Sequence, residues 1–333
     1  MKSIEEYIDY LSQKSGTIKL SDDGFYEIQP QNEDTETLRM FKNIPTNPKK
    51  LVPYATKFRE VLIEKIEPKK ISNGWVYYVY NEQKYYLPIT VLDTIVTTTS
   101  LGIRPLLYGG YGVGKTVISM SILTKMFDRE PVYVRMHGTP TVEDMVGEID
   151  PIKTYIFSEF IKDLVLQKYS EMPLNELDEH IMKIIELNKQ RSVLIANIGR
   201  ALYENRPLVI DEIDKLSKAG SNFLGSLFQR VNPAIQIVGI GMVKAKLPLI
   251  AISNTDSLQE FIRSRLEKIK QPHLPPELLY DLLKQYNIED DIIERAVEKY
   301  KEMIERSVEN LGTRKIVQWA LMEQVRRSSS VTL

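Results

Sequence analysis

The sequence predicts an α/β protein in which a parallel sheet with helices on both faces is preceded by a small N-terminal α+β module and followed by a C-terminal helical lid. Three observations carry that expectation. Short apolar runs at Pro105–Tyr108, Val132–Met136, Pro207–Ile210 and Leu249–Ser253 are separated by helix-length stretches, the alternation of a parallel sheet with crossover helices. A glycine-rich loop joins the first run directly to a helical pattern continuing from Val117. Residues 274–327 are almost continuously helical in pattern and open on Pro275 and Pro276, because proline is tolerated in a first helical turn. The chain accordingly divides into residues 1–95, 96–272 and 273–333.

With 333 residues, the chain exceeds one average domain of roughly 150 residues and can bury a large core. The absence of cysteine excludes disulfides, thiol nucleophiles, zinc–thiolate sites and cysteine-ligated iron–sulfur clusters. Lys and Arg (44) balance Asp and Glu (45), so no global field draws the chain to nucleic acid or an anionic membrane, although a local basic face stays possible. The opening MKSIEEYIDYL lacks a secretory apolar core, and no later stretch approaches about 18 uninterrupted apolar residues. A cytoplasmic chain without membrane insertion is expected.

In the first module, Ile4–Leu11 reads as a short helix, and the segments 16–21 and 24–28 as strands split by Asp22, Asp23 and Gly24. Residues 31–50 are polar and proline-punctuated and read as loop. Tyr54–Ile66 places Phe58, Val61, Leu62 and Ile66 near one helical face and stops at Pro68. Trp75–Tyr80 and Lys84–Ile89 form a hairpin turning at Asn81–Gln83. Its aromatics beside Lys69, Lys70 and Lys84 could stack bases and neutralise phosphates, but packing of a half-buried sheet face is the favoured reading. Farther on, residues 153–206 read as mainly helical, including Phe157–Leu166 and Leu177–Ala201, and the tail Ser328–Leu333 as frayed.

Gly109, Gly110, Tyr111, Gly112, Val113, Gly114, Lys115 and Thr116 satisfy the phosphate-loop pattern G-x-x-x-x-G-K-[ST]. Phosphate oxygens need several converging N–H donors, which a tight backbone wrap supplies where glycine avoids a side-chain clash. Lys115 is suited to the terminal phosphates and the Thr116 hydroxyl to Mg²⁺. The run Pro207–Ile210 leads into Asp211 and Glu212: the first acid can hold Mg²⁺ through water, and the second can polarise an attacking water. Asp214 reads as local structure or as a contact to a neighbouring nucleotide site. The two motifs together predict a P-loop NTPase core.

These motifs give the chain a resemblance to the AAA+ ATPases, specifically the MoxR and dynein-related branch, over roughly residues 85–325. Met136–Glu148, with Thr141, Glu143, Asp144 and Gly147, resembles the segment after the family's second strand, and Ile198–Glu204 the approach to its acidic strand. His137, without a cluster of other ligands, reads as structural rather than ligating. Asn254 matches the sensor-1 position, Arg265 the arginine finger with Arg263 in reserve, and Arg314 the sensor-2 position, while Lys315 could be simple surface charge. Segments Ile235–Ile240 and Leu247–Ile252 around Gly239 and Gly241 resemble the hairpin before sensor 1, which can face a channel or simply pack.

The resemblance implies an MoxR-like ATPase using ATP and Mg²⁺ in a homo-oligomer, a hexameric ring, whose hydrolysis remodels or loads a protein partner. A DNA-handling machine and an ATP-dependent assembly scaffold with little hydrolysis are the alternatives. The gap between Gly147 and Ile198 exceeds that of compact relatives, implying a helical insertion near 153–190. Its Ile156, Phe157, Phe160, Ile161, Leu164 and Val165 could pack on the core, the favoured reading, or meet a partner.

Overall fold

The computed structural model describes residues 9, 17–136, 141–152, 154–155, 174–191, 193–305 and 312–329. Strands β1 (Ile18–Leu20) and β2 (Tyr26–Ile28) pair antiparallel, followed by helices α1 (Glu36–Lys42) and α2 (Pro48–Ile66). An antiparallel sheet of β3 (Lys69–Lys70), β4 (Trp75–Tyr80) and β5 (Gln83–Pro88) leads through α3 (Ile89–Ser100) to β6 (Arg104–Tyr108). Then come α4 (Lys115–Phe127), β7 (Val132–Arg135), α5 (Val142–Met145), β8 (Gly147–Ile149), α6 (Leu174–Arg191), β9 (Val193–Ile195) and α7 (Asn197–Tyr203). The next elements are β10 (Leu208–Asp211), α8 (Lys218–Leu227), β11 (Ala234–Ile237), β12 (Gly241–Lys244), β13 (Leu249–Ser253), α9 (Glu260–Arg263) and β14 (Leu266–Lys270). Helices α10 (Pro276–Lys284), α11 (Asp290–Glu305) and α12 (Thr313–Ser329) complete the described chain.

The central sheet is parallel throughout, in the order β14-β6-β13-β10-β7. Its middle strands are apolar along their length because both faces are covered, and strand alternation divides their side chains between two cores. Leu106, Leu208, Ile210, Leu249 and Ala251 join a core with Ile198, Leu224, Phe228, Ile235 and Val243. Leu107, Val209, Ile250 and Ile252 face the other way and meet Ile118, Ile122 and Phe127 of α4. Leu38, Phe41, Phe58, Leu62 and Ile95 from the first hundred residues enter that second core directly. Each such fully buried aliphatic or aromatic side chain contributes about 1.5–3 kcal/mol. A third core holds α10–α12 together through Leu279, Leu283, Ile292, Tyr300 and Ile316, and receives Tyr86 from β5.

Several elements differ from the sequence expectation. The polar stretch 31–50 contains α1, whose start is fixed by Thr35 accepting from Leu38 N–H at 3.2 Å, with Leu38 and Phe41 buried beneath it. The hairpin after α8 is β11 with β12, closed by Gly239 and Gly241 in left-handed backbone, whereas Leu249–Ser253 belongs to the central sheet. The helical stretch proposed for 177–201 is interrupted by β9, which pairs antiparallel with β8. Strand β14 was hidden in an alternating, charged segment. Apart from Asp9, the stretch Ile4–Leu11 lies outside the described residues, as do His137 and the apolar insertion positions from Ile156 to Val165. Among the described residues, no helix is long and apolar enough to cross a membrane.

Candidate functional site

Neighbouring parallel strands end at one edge of the sheet, so β6, β13 and β10 bring the glycine loop, Asn254, Asp211 and Glu212 side by side. The loop leaves β6 at Gly109, whose φ of 152° suits glycine, and a Cβ there would meet the Gln271 carbonyl oxygen at 2.5 Å. At the loop's other end Gly114, with φ 90°, precedes α4, whose first-turn amides have no partner within the helix.

Lys115 is buried and folds back into the loop. Its Nζ donates to Gly109 O and Gly110 O, both at 2.8 Å, and to Asn254 Oδ1 at 3.2 Å. Burial lowers its pKa; Asp211 and Asp214 oppose the shift, and Arg314 adds to it. One residue on, Thr116 Oγ1 donates to Asp211 Oδ2 at 2.8 Å. Tyr133, on β7, donates its hydroxyl to the same oxygen at 3.0 Å; burial and the charge of Asp211 push its pKa up to about 12.

Glu212 adopts left-handed backbone, φ 58°, immediately beyond β10. Arg135 grips its carboxylate with two hydrogen bonds, Nε to Oε2 at 2.9 Å and Nη2 to Oε1 at 2.8 Å, and Lys215 adds a third at 3.0 Å. The Arg135 hydrogen bonds, helped by Lys215 against a desolvation cost, hold the Glu212 carboxyl at about 2. Asp214 turns inward, accepting from Ser253 Oγ at 3.2 Å and Asn254 N at 3.3 Å, and so braces the end of β13.

The C-terminal helices close the site through backbone contact. Arg314 N–H donates to Gly112 O at 3.4 Å, and the Arg314 side chain lines a cavity of about 170 Å³ together with Tyr111, Gly112, Gly114, Lys115, Thr116, Asp211, Glu212 and Asn254. A second cavity of about 280 Å³ adjoins Gly112, Val113 and Gly114, lined by Tyr85 and Tyr86 of β5 and by Gln271, Leu274, Gln285 and Tyr286. Two buried amide atoms in its wall have no partner among the described residues, Gln271 Oε1 and Gln285 Nε2. The Gln285 orientation is set by its Oε1, which accepts from Lys84 N at 2.7 Å.

The structure thus draws together Lys115, Thr116, Asp211, Glu212, Asn254 and Arg314, with Gly109 and Gly110 serving as acceptors for Lys115 and Val113 facing the second cavity. It does not bring Arg265 there. That guanidinium stacks 3.7 Å from the Phe261 ring centre, donates to Phe261 O at 2.6 Å and lines a separate surface depression. The hairpin tyrosines are used in packing: Tyr78 is buried with its hydroxyl 2.6 Å from Ser121 Oγ, and Lys84 lies over the Tyr77 ring. Sequence reasoning missed Tyr133, Arg135, Gln271 and Gln285. For Arg135 and Tyr133 no contiguous signal existed, because they come to the site only through the pairing of β7 with β10, which sets Arg135 opposite Asp211.

No protein-family model matches this chain, and a search of curated proteins finds no significant match.

Proposed function

We propose that the chain is an ATPase of the AAA+ type. The observation that carries this is the convergence on one cavity of six residues from four distant stretches, Lys115 with Thr116, Asp211 with Glu212, Asn254, and Arg314. The donors fit a magnesium-bound triphosphate. A buried ammonium bonded to neutral oxygens calls for an anion, and a hydroxyl paired with a carboxylate matches the few ligands that Mg²⁺ takes from protein when phosphates and water supply the rest.

In this reading, Lys115 and the loop amides bind the β- and γ-phosphates, and Arg314 neutralises charge from the helical side. Thr116 and Asp211 hold Mg²⁺, which when bound screens the phosphate charge that grows during transfer. Asn254 orients a water, and Glu212 takes that water's proton as its oxygen bonds to the γ-phosphorus and the bond to the β–γ bridging oxygen breaks. A carboxylate held at about 2 is a weak base, so Glu212 must leave Arg135 before it can serve.

The second cavity supports adenine. Among the described residues Gln285 Nε2 and Gln271 Oε1 have no partner there, so the first can donate to a ring nitrogen and the second can accept from an exocyclic amino group, the pair of contacts that adenine offers through N1 and its amino group. Outward-facing Arg265 is compatible with a finger reaching a neighbour's nucleotide in a homo-oligomeric, hexameric ring, with remodelling of a protein partner as the output. The Arg135 clamp favours a second reading, a scaffold that binds ATP to assemble and turns it over slowly.

Measuring ATP and GTP affinity, steady-state turnover and oligomeric state of the same preparation tests this. ATP binding that depends on Lys115 with turnover that depends on Glu212 supports the ATPase. ATP-dependent assembly without turnover supports the scaffold, and an absence of nucleotide binding overturns both. Subunits carrying Arg265→Ala, mixed with Glu212→Gln subunits, should recover part of the hydrolysis if the finger acts between neighbours.

A further inference from the structure

At the opposite end of β6 from the glycine loop, Arg104 is 2% exposed. Guanidinium groups are rarely buried without a counterion. Among the described residues the Arg104 side chain has a single hydrogen bond, from Nη1 to Gly102 O at 3.3 Å, and its guanidinium lies 5.2 Å from the centre of the Phe41 ring. Its Nε, also buried, finds no acceptor among the described residues. Burial, with no acid offsetting it, lowers its pKa to about 10.

Arg104 forms part of the wall of a cavity of about 130 Å³ set between α1, the β11–β12 hairpin and the segment 230–233. Three further cations line it, Arg230, Lys244 and Lys246, against one acid, Asp23. Asp23 is already taken, since it pairs with Lys244 at 2.9 Å, and Lys244 also holds Glu27 at 2.8 Å. Arg230 donates to Leu101 O at 3.1 Å and Lys246 to Ile44 O at 3.5 Å, both neutral acceptors. The pKa of Lys246 is lowered by burial and then by the charge of Arg104, so the two cations sense one another. Among the described residues, no carboxylate forms an ion pair with Arg104, Arg230 or Lys246. The rim is open at Thr46 and at Arg230 to Asn232, which are exposed.

We infer that this cavity is an oxyanion site that takes a phosphoryl group, with Arg104, Lys246 and Arg230 as its ligands. Three convergent cations that already use neutral carbonyls for part of their donors suit a compact, multiply charged tetrahedral anion. The guanidinium forks offer paired N–H groups to adjacent oxygens, and the flexible ammonium can reach a third. The volume has room for one small ion with a few waters, and the site is distinct in position from the cavities beside the glycine loop.

The full chain carrying Lys115→Ala, which removes the loop lysine, is titrated with inorganic phosphate by calorimetry, with thermal denaturation followed at constant ionic strength in chloride. The expected result is saturable binding of one phosphate per chain with a rise in Tm. Adding Lys246→Gln or Arg230→Gln should weaken that binding by about tenfold or more. Adding Arg104→Met should abolish the response and raise Tm in phosphate-free buffer, because the apolar side chain needs no counterion. If the Arg104 variant does not fold, the other two still decide. Displacement by a small phosphomonoester identifies the occupant as the phosphoryl end of a larger molecule and supports the site. No saturable binding, binding insensitive to Lys246 and Arg230, or equal binding of acetate would overturn it.

Discussion

Strand β6 carries a buried cation at each end of its path, and the two are treated differently. Lys115, just beyond its carboxyl end, is 6% exposed and meets three oxygens, with Asp211 and Asp214 close enough to oppose the lowering of its pKa. Arg104, which begins the strand, is 2% exposed and has one carbonyl and one aromatic face. The carboxyl end of a parallel sheet gathers loops and therefore polar partners, while the amino end is packed by helices and hairpins. The cation at the first position is offset in part by acids of the chain, although its ammonium is free of any ion pair among the described residues. At the second, the offset is left to something that binds.

The largest test of this contrast lies at the compensated end. Glu212→Gln should preserve ATP affinity and lower turnover by about 10²- to 10⁴-fold, measured by phosphate release beside direct binding. Unchanged turnover would remove Glu212 from the chemistry. Lys115→Ala should weaken ATP binding by about 100-fold, since it removes charge-assisted hydrogen bonds worth about 1.5–3 kcal/mol in sum at the phosphates; calorimetry reads this directly, and unaltered affinity would erase the difference between the two cations.

Gly312→Ala probes the closure without touching charge. A Cβ at Gly312 would meet Tyr111 O at 2.1 Å and Gly112 Cα at 2.5 Å, so the helical end must separate from the loop. The expected cost is about 1–3 kcal/mol in denaturant unfolding, accompanied by weaker nucleotide binding; wild-type values for both would show that the contact is dispensable.

The smallest expected effect concerns acid stability. Glu212 ionises at about 2 in the folded chain, below the unfolded value of about 4.3, so its contribution is complete above roughly pH 5 and is lost as pH falls toward 2. Arg135→Ala should flatten that part of the pH–Tm curve, and an unchanged curve would show that Arg135 is not the principal holder of the carboxylate.

The apolar runs made β6, β13 and β10 legible because a strand covered on both faces must be apolar throughout, and the edge strand β7 was legible because its alternating run Val132–Arg135 holds only one charged residue. β14 escaped because it sits at an edge and alternates buried Leu266 and Ile269 with Glu267 and Lys270, which stay at the surface. The glycine loop and the acids after β10 announced themselves through contiguous spacing. Arg135 and Tyr133 did not, since their partners lie 77 and 78 residues away and only the adjacency of β7 and β10 in the folded sheet brings them together. Arg104 was invisible for a related reason: within Arg104–Tyr108 it looks like an ordinary residue ahead of an apolar run, and its lack of an acidic neighbour is a property of the folded surroundings.

The pairing of β2 with β12, through a parallel register of Val243 with Tyr26, has a consequence for handling the protein. It occupies the outer edge of the β11–β12 hairpin with a segment from the beginning of the chain. A version shortened to start after residue 30 would uncover a row of unpaired backbone donors and acceptors along Gly241–Lys244, an adhesive border of the sort that recruits a strand from another molecule. Self-association of such a truncated protein would then report a bared sheet margin, and should not be mistaken for the ring assembly sought with the intact chain.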